Sequence, residues 1–480
     1  MFKKLVFSLT ALALTAICSA QTLKSLAHQP PAGVGMSFLL TDGSVLFQGN
    51  ALSTWYKLTP DNTGNYSNGT WTKLASLPAG YVPDAFASSV LADGRVLIEG
   101  GEYNNNNFAL TNKGAIYDPK ANTWTAVAPP TGWSTIGDSP SVVLPDGRFV
   151  MGNKLTKDMA ALDPVTLTWT ALSSKGKKDF NSEEGWTLMP NGTILTFDVK
   201  AAPHAERYIP SKAKWVAAGT TVVDLHSPTD INGCITYPGG CYYPPGEVGP
   251  AVLRPDGTVF ATGSYTSGGI GAGHTSVFHP GPKIGSKGVW TPGPDFPNGD
   301  NAGDSWAALL PSGNVLVAGN TGRLYEFDGT NFTFKLAGYG ALMTLPTGQV
   351  IVSGNQVQLY TPTGNYLPAW APTIASSPGT VTRGSTYSIS GTQFNGLSQA
   401  AGFGDEYETS TNYPMVRITN NATGHVFYAR THNHSSMGVA TGTAIVSTNF
   451  DVPASAETGA STLQVVANGI PSATVALTVN

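Results

Sequence analysis

Asp84 to Trp124, DAFASSVLADGRVLIEGGEYNNNNFALTNKGAIYDPKANTW, is the stretch whose reading decides the fold. Small and apolar residues lead into an Asp93-Gly94 turn, Arg95-Val96-Leu97-Ile98 reads as a second strand, and Gly100-Gly101 ends it. Ala115-Ile116-Tyr117-Asp118-Pro119, a further turn and Trp124 supply a third and a fourth short strand. One four-stranded sheet of this kind leaves both faces uncovered. Neighbours stacked around an axis cover them, which is the arrangement of a β-propeller.

The turn recurs at Asp42-Gly43, Asp93-Gly94, Asp146-Gly147, Asn191-Gly192, Asp256-Gly257, Ser312-Gly313 and Thr347-Gly348. The glycines are 51, 53, 45, 65, 56 and 35 residues apart, around the period of roughly 50 of kelch-type blades. The spacing of 65 implies an insertion, and that of 35 a stripped-down blade. Aromatic residues close the units at Trp71, Trp124, Trp169, Trp215, Trp290 and Phe332. The expected fold is all-β, with a seven-bladed propeller over residues 21–366.

Residues 1–20 begin with Lys3-Lys4, continue through an apolar run from Leu5 to Ile17 and end in Cys18-Ser19-Ala20. That is the pattern of a secretory signal cleaved after Ala20, so the chain is expected to be secreted or periplasmic. Elsewhere no run is apolar for the roughly 20 residues that a membrane helix needs. Charged residues make up 12% of the chain, and 56 Gly and 34 Pro punctuate it, as suits a turn-rich β protein. A net charge of -4 argues against nucleic acid or an anionic membrane as partner. The Gly-rich run Ser267 to Gly273 lacks the strand-then-helix context of a phosphate loop and reads as flexible.

Beyond the leader the only cysteines are Cys234 and Cys241, in NGCITYPGGCYYPPGE. Their spacing in an exported chain predicts a local disulfide. The pair lies in the long insertion, with His226, Tyr237, Tyr242 and Tyr243. Such a pinned loop either binds a ligand or covers apolar surface on one propeller face.

After Tyr360 the pattern changes. Ser385 to Ser390, Met415 to Thr419, His425 to Arg430, Ala444 to Ser447, Thr462 to Ala467 and Ala473 to Val479 read as strands of an immunoglobulin-like sandwich over residues 367–480.

A kelch propeller followed by such a domain resembles the galactose oxidase and glyoxal oxidase superfamily of copper radical oxidases. The resemblance is carried by SVLADGRVLIEGG, SVVLPDGRFVMGN and the late THNHSS segment. It implies that a C-terminal hairpin reaches the propeller axis and that Thr431-His432 supplies a copper ligand. It also implies a Tyr-His pair where this chain has Gly303-Asp304, a tyrosine where it has Pro83-Asp84-Ala85, and a cysteine where it has Gly33-Val34-Gly35. With those residues replaced, the expectation is a relative without copper-radical chemistry.

An acid stands eight to ten residues before the turn glycine in five units: Asp84, Asp138, Glu183 with Glu184, Glu247 and Asp304. Blade symmetry would gather these side chains at one mouth of the channel. They could bind a divalent cation with His432 or His434, position the hydroxyl groups of a sugar, or cap backbone N–H groups of their own blades. His432 and His434, two apart on a strand, would face one side. Tyr242, Tyr243 and Trp306 offer stacking surface. Two function classes follow: a monomeric propeller binding carbohydrate or a cell-surface partner, and an enzyme using Asp304 and His432 in acid-base or metal-assisted chemistry on carbohydrate.

Overall fold

The computed structural model describes residues 21–228, 234–265 and 272–480. The expected leader lies outside the described residues, as does most of the Ser267–Gly273 run. The described chain is β throughout, with short 3-10 turns at Pro210–Lys212, Pro297–Gly299 and Pro368–Trp370. No helix among the described residues is long and apolar enough to cross a membrane.

Among the described residues seven antiparallel four-stranded units recur. Their innermost strands are Val34–Leu39, Ala87–Val90, Ser141–Val143, Thr187–Leu188, Ala251–Leu253, Ala307–Leu309 and Ala341–Thr344. Each touches the next, and the last touches the first, so the ring closes. Closure is by the chain start: Thr22–Ser25 pairs with Val357–Thr361 as the outer strand of the seventh unit. That joins the two ends of the propeller through backbone hydrogen bonds.

The repeat is built by local chemistry. The turn glycines adopt φ between 73° and 89°, where a Cβ would be strained. The residue before each usually accepts the N–H two positions on, as Asp42, Asp93 and Asp256 do at 3.0, 3.0 and 2.9 Å. The tryptophans sit on outer strands opposite an apolar or aromatic partner, as in the Tyr117–Trp124 and Tyr208–Trp215 pairs. Three reach back to the preceding blade: Trp71, Trp169 and Trp290 donate Nε1–H to the carbonyls of His28, Ala128 and Ala218 at 2.9, 2.7 and 2.9 Å. A large apolar ring with one donor thus fills the gap between blades and registers them.

Insertions mark one end of the ring. Pro83–Asp84, Tyr103–Asn104 and Asn107–Phe108 form a small sheet before and after the first two strands of the second blade. Ile235–Tyr237 and Gly240–Tyr242 form a hairpin closed by the Cys234–Cys241 disulfide, with Cα atoms 5.5 Å apart.

The C-terminal strands form a β-sandwich with its own core, including Val381, Ile389, Phe394, Val416, Phe450 and Val465. Val426–His432 belongs to both layers: its first half pairs with Met415–Asn420 and its end pairs with Val446–Asp451. The sequence expectation placed six of these strands within a few residues. It passed over Thr373–Ser376, Thr380–Val381 and Ile470–Pro471, which are too short or too polar to show alternation.

Candidate functional site

The acids enter through strained backbone. Just ahead of the inner strands, Ala85, Glu183 and Asp304 have φ of 50°, 58° and 48°, and Gly137 and Gly246 have 80° and 106°. For the non-glycine residues this costs on the order of 1–3 kcal/mol each, and such strain concentrates at functional sites.

The C-terminal part sends a loop between the blades. Residues 398–416 are all buried. Ala401–Gly402 pairs with Ala307–Leu309 as a fifth strand of the sixth unit. Leu188 N–H donates to Gln399 Oε1 at 2.7 Å, Tyr407 N–H to the Phe86 carbonyl at 3.1 Å, and Thr409 lies against the Leu342 carbonyl. The loop therefore touches the inner strands or their entries in four blades, which only an axial path permits. It carries Asp405, Glu406 and Tyr407 to the acid-bearing mouth.

There the groups join one network. Lys154, with a fully buried side chain, pairs through Nζ with Asp138 and, at 2.6 Å, with Glu183. The Tyr242 hydroxyl also donates to Glu183, and Ser182 Oγ lies 2.6 Å from that hydroxyl. Tyr407 donates its hydroxyl proton to Asp84 and accepts Ala85 N–H at 2.6 Å. Phe108 stacks on Tyr242 at 6.1 Å and meets Tyr237 edge-on at 6.3 Å. The disulfide-closed hairpin and the second blade's insertion therefore roof this side of the mouth.

Burial opposes ionisation of Glu183, but Lys154 and hydrogen bonds from Asp405, Lys154 and Tyr242 outweigh it and hold the carboxyl below its ordinary value. Asp138 goes the other way: burial raises it despite Lys154, and Glu183 and Glu102 add negative charge. Of the two acids on Lys154, Glu183 is the ionised one, because it collects several donors while Asp138 Oδ1 has none among the described residues. Burial also raises Asp405, Glu406 and Glu247. Asp304 reaches solvent yet is crowded by protein and faces Glu183. Its carboxyl is pushed up to about 7, with a hydrogen bond from Glu247 opposing the rise.

Beside this nest lies an open cleft of about 570 Å³ where the seventh and first blades meet, the two units without an acid. Trp306, Tyr339, Asn50, Gln356 and Gln358 line it, with glycines on its floor. Trp306 packs edge-on to Tyr339 at 6.0 Å and tilted on Phe403 at 4.8 Å. Tyr339 is 44% exposed.

The structure thus gathers Asp84, Asp138, Glu183, Glu247, Asp304 and Trp306 at one mouth, and it corrects three expectations. Glu184, next to Glu183, points the other way into the fourth blade, where Lys177 Nζ holds both its oxygens at 2.8 and 2.7 Å. The left-handed kink at Glu183, φ 58°, sends the two neighbouring side chains to different sides. The segment at the axis is the 398–416 loop, and the Thr431-His432 stretch lies across the far mouth. Thr431 N–H bonds the Thr41 carbonyl at 3.1 Å and His434 N–H that of Ala92 at 3.0 Å, both at the turns that end the inner strands. His432 and His434 do not act together, because Asn433, at φ 54°, breaks the strand between them. His432 Nε2 pairs with Asp451 at 3.1 Å. His434 is buried, bonds Thr448 through Nδ1 at 2.8 Å, and is driven by burial down to about 3. Neither can serve the acid cluster as ligand or catalyst.

Lys154 and Tyr407 escaped the sequence reading. Lys154 follows an apolar strand like any surface lysine, and only the fold shows that it is buried.

No family model matches the chain, and no curated protein matches it by sequence. Among solved structures it is similar to a fungal alcohol oxidase of the AA5 family in complex with copper, at 15% identity and TM-score 0.51, covering 96% of this chain and all of that one. A streptogramin B lyase (13% identity, TM-score 0.45) matches 72% of this chain and 97% of its own, and a virginiamycin B lyase from Staphylococcus aureus with quinupristin (11%, TM-score 0.46) matches 71% and 99%. Among the described residues, the groups of three or more His, Cys, Asp or Glu side chains close enough to share an ion consist of carboxylates, a set that suits hard cations. In fold, the chain is a β-propeller with a C-terminal β-sandwich, similar along nearly its whole length to an AA5 alcohol oxidase.

Proposed function

We propose that this chain is an exported, monomeric propeller protein that binds carbohydrate at the acid-bearing mouth, without copper-radical chemistry. In this reading a leader of residues 1–20 is removed, residues 21–366 form the propeller and residues 367–480 the sandwich. The observation that carries it is the cleft beside Asp304. An exposed tyrosine and a tryptophan give apolar faces for a sugar ring, side-chain amides and a carboxyl pair lie within the same mouth, and about 570 Å³ suits a short oligosaccharide. Glycan-array binding followed by titration calorimetry tests it. Tyr339→Ala and Asp304→Asn should each weaken the selected glycan at least about tenfold, the equivalent of about 1.4 kcal/mol. Unchanged affinity in both would remove the cleft from consideration.

A second reading, acid-base catalysis on the same ligand class, is favoured by one feature. Asp304, raised to about 7 and hydrogen-bonded to Glu247, is a carboxyl able to hold or release a proton near neutral pH. Turnover of a bound glycan that Asp304→Asn abolishes while binding persists would select it.

A further inference from the structure

Three carboxylates converge beside the Lys154 ion pairs. Asp138, Asp405 and Glu406 each bring an oxygen within 4.8 Å of the others. They are 3%, 2% and 7% exposed. Both oxygens of Asp405, and Oδ1 of Asp138, have no N–H or hydroxyl donor among the described residues, and what Asp405 meets instead are the carboxyls of Glu406 and Glu183. Lys154 does not meet the need, because it is directed at the other oxygen of Asp138 and at Glu183. A buried carboxylate oxygen left without a donor is costly, and several facing one another are more so.

We propose that Asp138, Asp405 and Glu406 bind one hard divalent cation of the Ca²⁺ or Mg²⁺ class, which fastens the axial loop to the third blade. The donors are oxygen only, as these ions require. Three oxygens within 4.8 Å of one another can all reach a single ion that holds its ligands at about 2.4 Å. Two ligands come from the loop and one from the propeller, so the ion would cross-link the two parts of the chain at the axis. Remaining coordination positions would be filled by water or by Glu183, whose carboxylate contacts Asp405. The site stands independently of any sugar in the neighbouring cleft.

A second buried group, Asp179, Glu184 and Asp198 in the fourth blade, makes the test discriminating. The mature protein, stripped with chelator and dialysed, is titrated with CaCl₂ and separately with MgCl₂ by calorimetry, with Tm recorded alongside. The expected result is one ion per chain, a Tm that rises with the ion, and at least a tenfold loss of affinity in Asp405→Asn while Asp198→Asn binds as the parent does. Should Asp405→Asn fail to fold by circular dichroism, Glu406→Gln carries the same expectation. No binding of either ion to the parent overturns the proposal, as does unchanged affinity in the folded loop variant or a loss confined to Asp198→Asn. Tyr339→Ala, which tests the sugar cleft, should leave ion binding intact, so either idea can fail alone.

Discussion

Replacing Lys154 with methionine keeps most of the side-chain volume and removes the one ammonium at the centre of the acid nest. The side chain is fully buried and serves two carboxylates at once. Breaking a buried pair by deleting one partner costs about 3 to 5 kcal/mol, because the remaining charge keeps its desolvation penalty without its partner. Glu183 has one escape, which is to take up a proton, and this gives the loss a pH signature. In the parent its folded value lies below the ordinary carboxylate value. Its contribution is therefore present above that ordinary value and lost as pH falls through the folded one. Without Lys154, burial dominates and the folded value moves above the ordinary one, so the variant loses stability as pH rises. The gap between parent and variant should approach about 3 to 5 kcal/mol at pH 8 and shrink clearly at pH 5. Urea unfolding followed by the fluorescence of the 10 tryptophans reads it. A loss below about 1 kcal/mol at pH 8, or one equal at both pH values, would refute the assignment of Lys154 as the counterion of an ionised Glu183.

Further outcomes follow from other buried groups. Glu99 is fully buried with both oxygens unpartnered among the described residues, and burial raises its carboxyl well above the usual range. Its ionisation therefore opposes folding increasingly as pH climbs, and Glu99→Gln should stabilise the protein more at pH 8 than at pH 4.5 in the same urea assay. A Cβ on Gly185 would lie 2.1 Å from the Gly404 carbonyl oxygen. Gly185→Ala should thus push the axial loop from the fourth blade and cost about 1 to 3 kcal/mol, with faster proteolysis near residue 404; a Tm equal to the parent's would contradict that packing. Replacing Cys234 and Cys241 with serine opens a loop of sequence separation 7. Loop-closure entropy puts the effect at about 2 kcal/mol on the unfolding of that hairpin, seen as cleavage within the hairpin under limited proteolysis while the propeller stays intact.

The propeller was legible in the chain because its determinants are local and repeated. A turn glycine with positive φ, an Asp or Asn accepting the N–H two positions on, alternating strands and a tryptophan on the outer strand all operate within some fifty residues, so each copy announces the next. The sandwich strands showed for the same reason, through alternation. The acids were visible as a recurrence, but their use was not. Whether Glu183 or Glu184 faces the axis is decided by a single backbone kink at φ 58°. Which C-terminal segment fills the axis is decided by contacts such as Tyr407 with Ala85 and Gln399 with Leu188, separated by 322 and 211 residues. THNHSS offered the more conspicuous chemistry, yet the buried 398–416 loop took the channel. The role of Lys154 likewise exists only once the third and fourth blades are side by side. Hydrogen bonding and periodicity along the chain set the blades, whereas the charge of the site arises from desolvation, and desolvation is a property of the assembled fold.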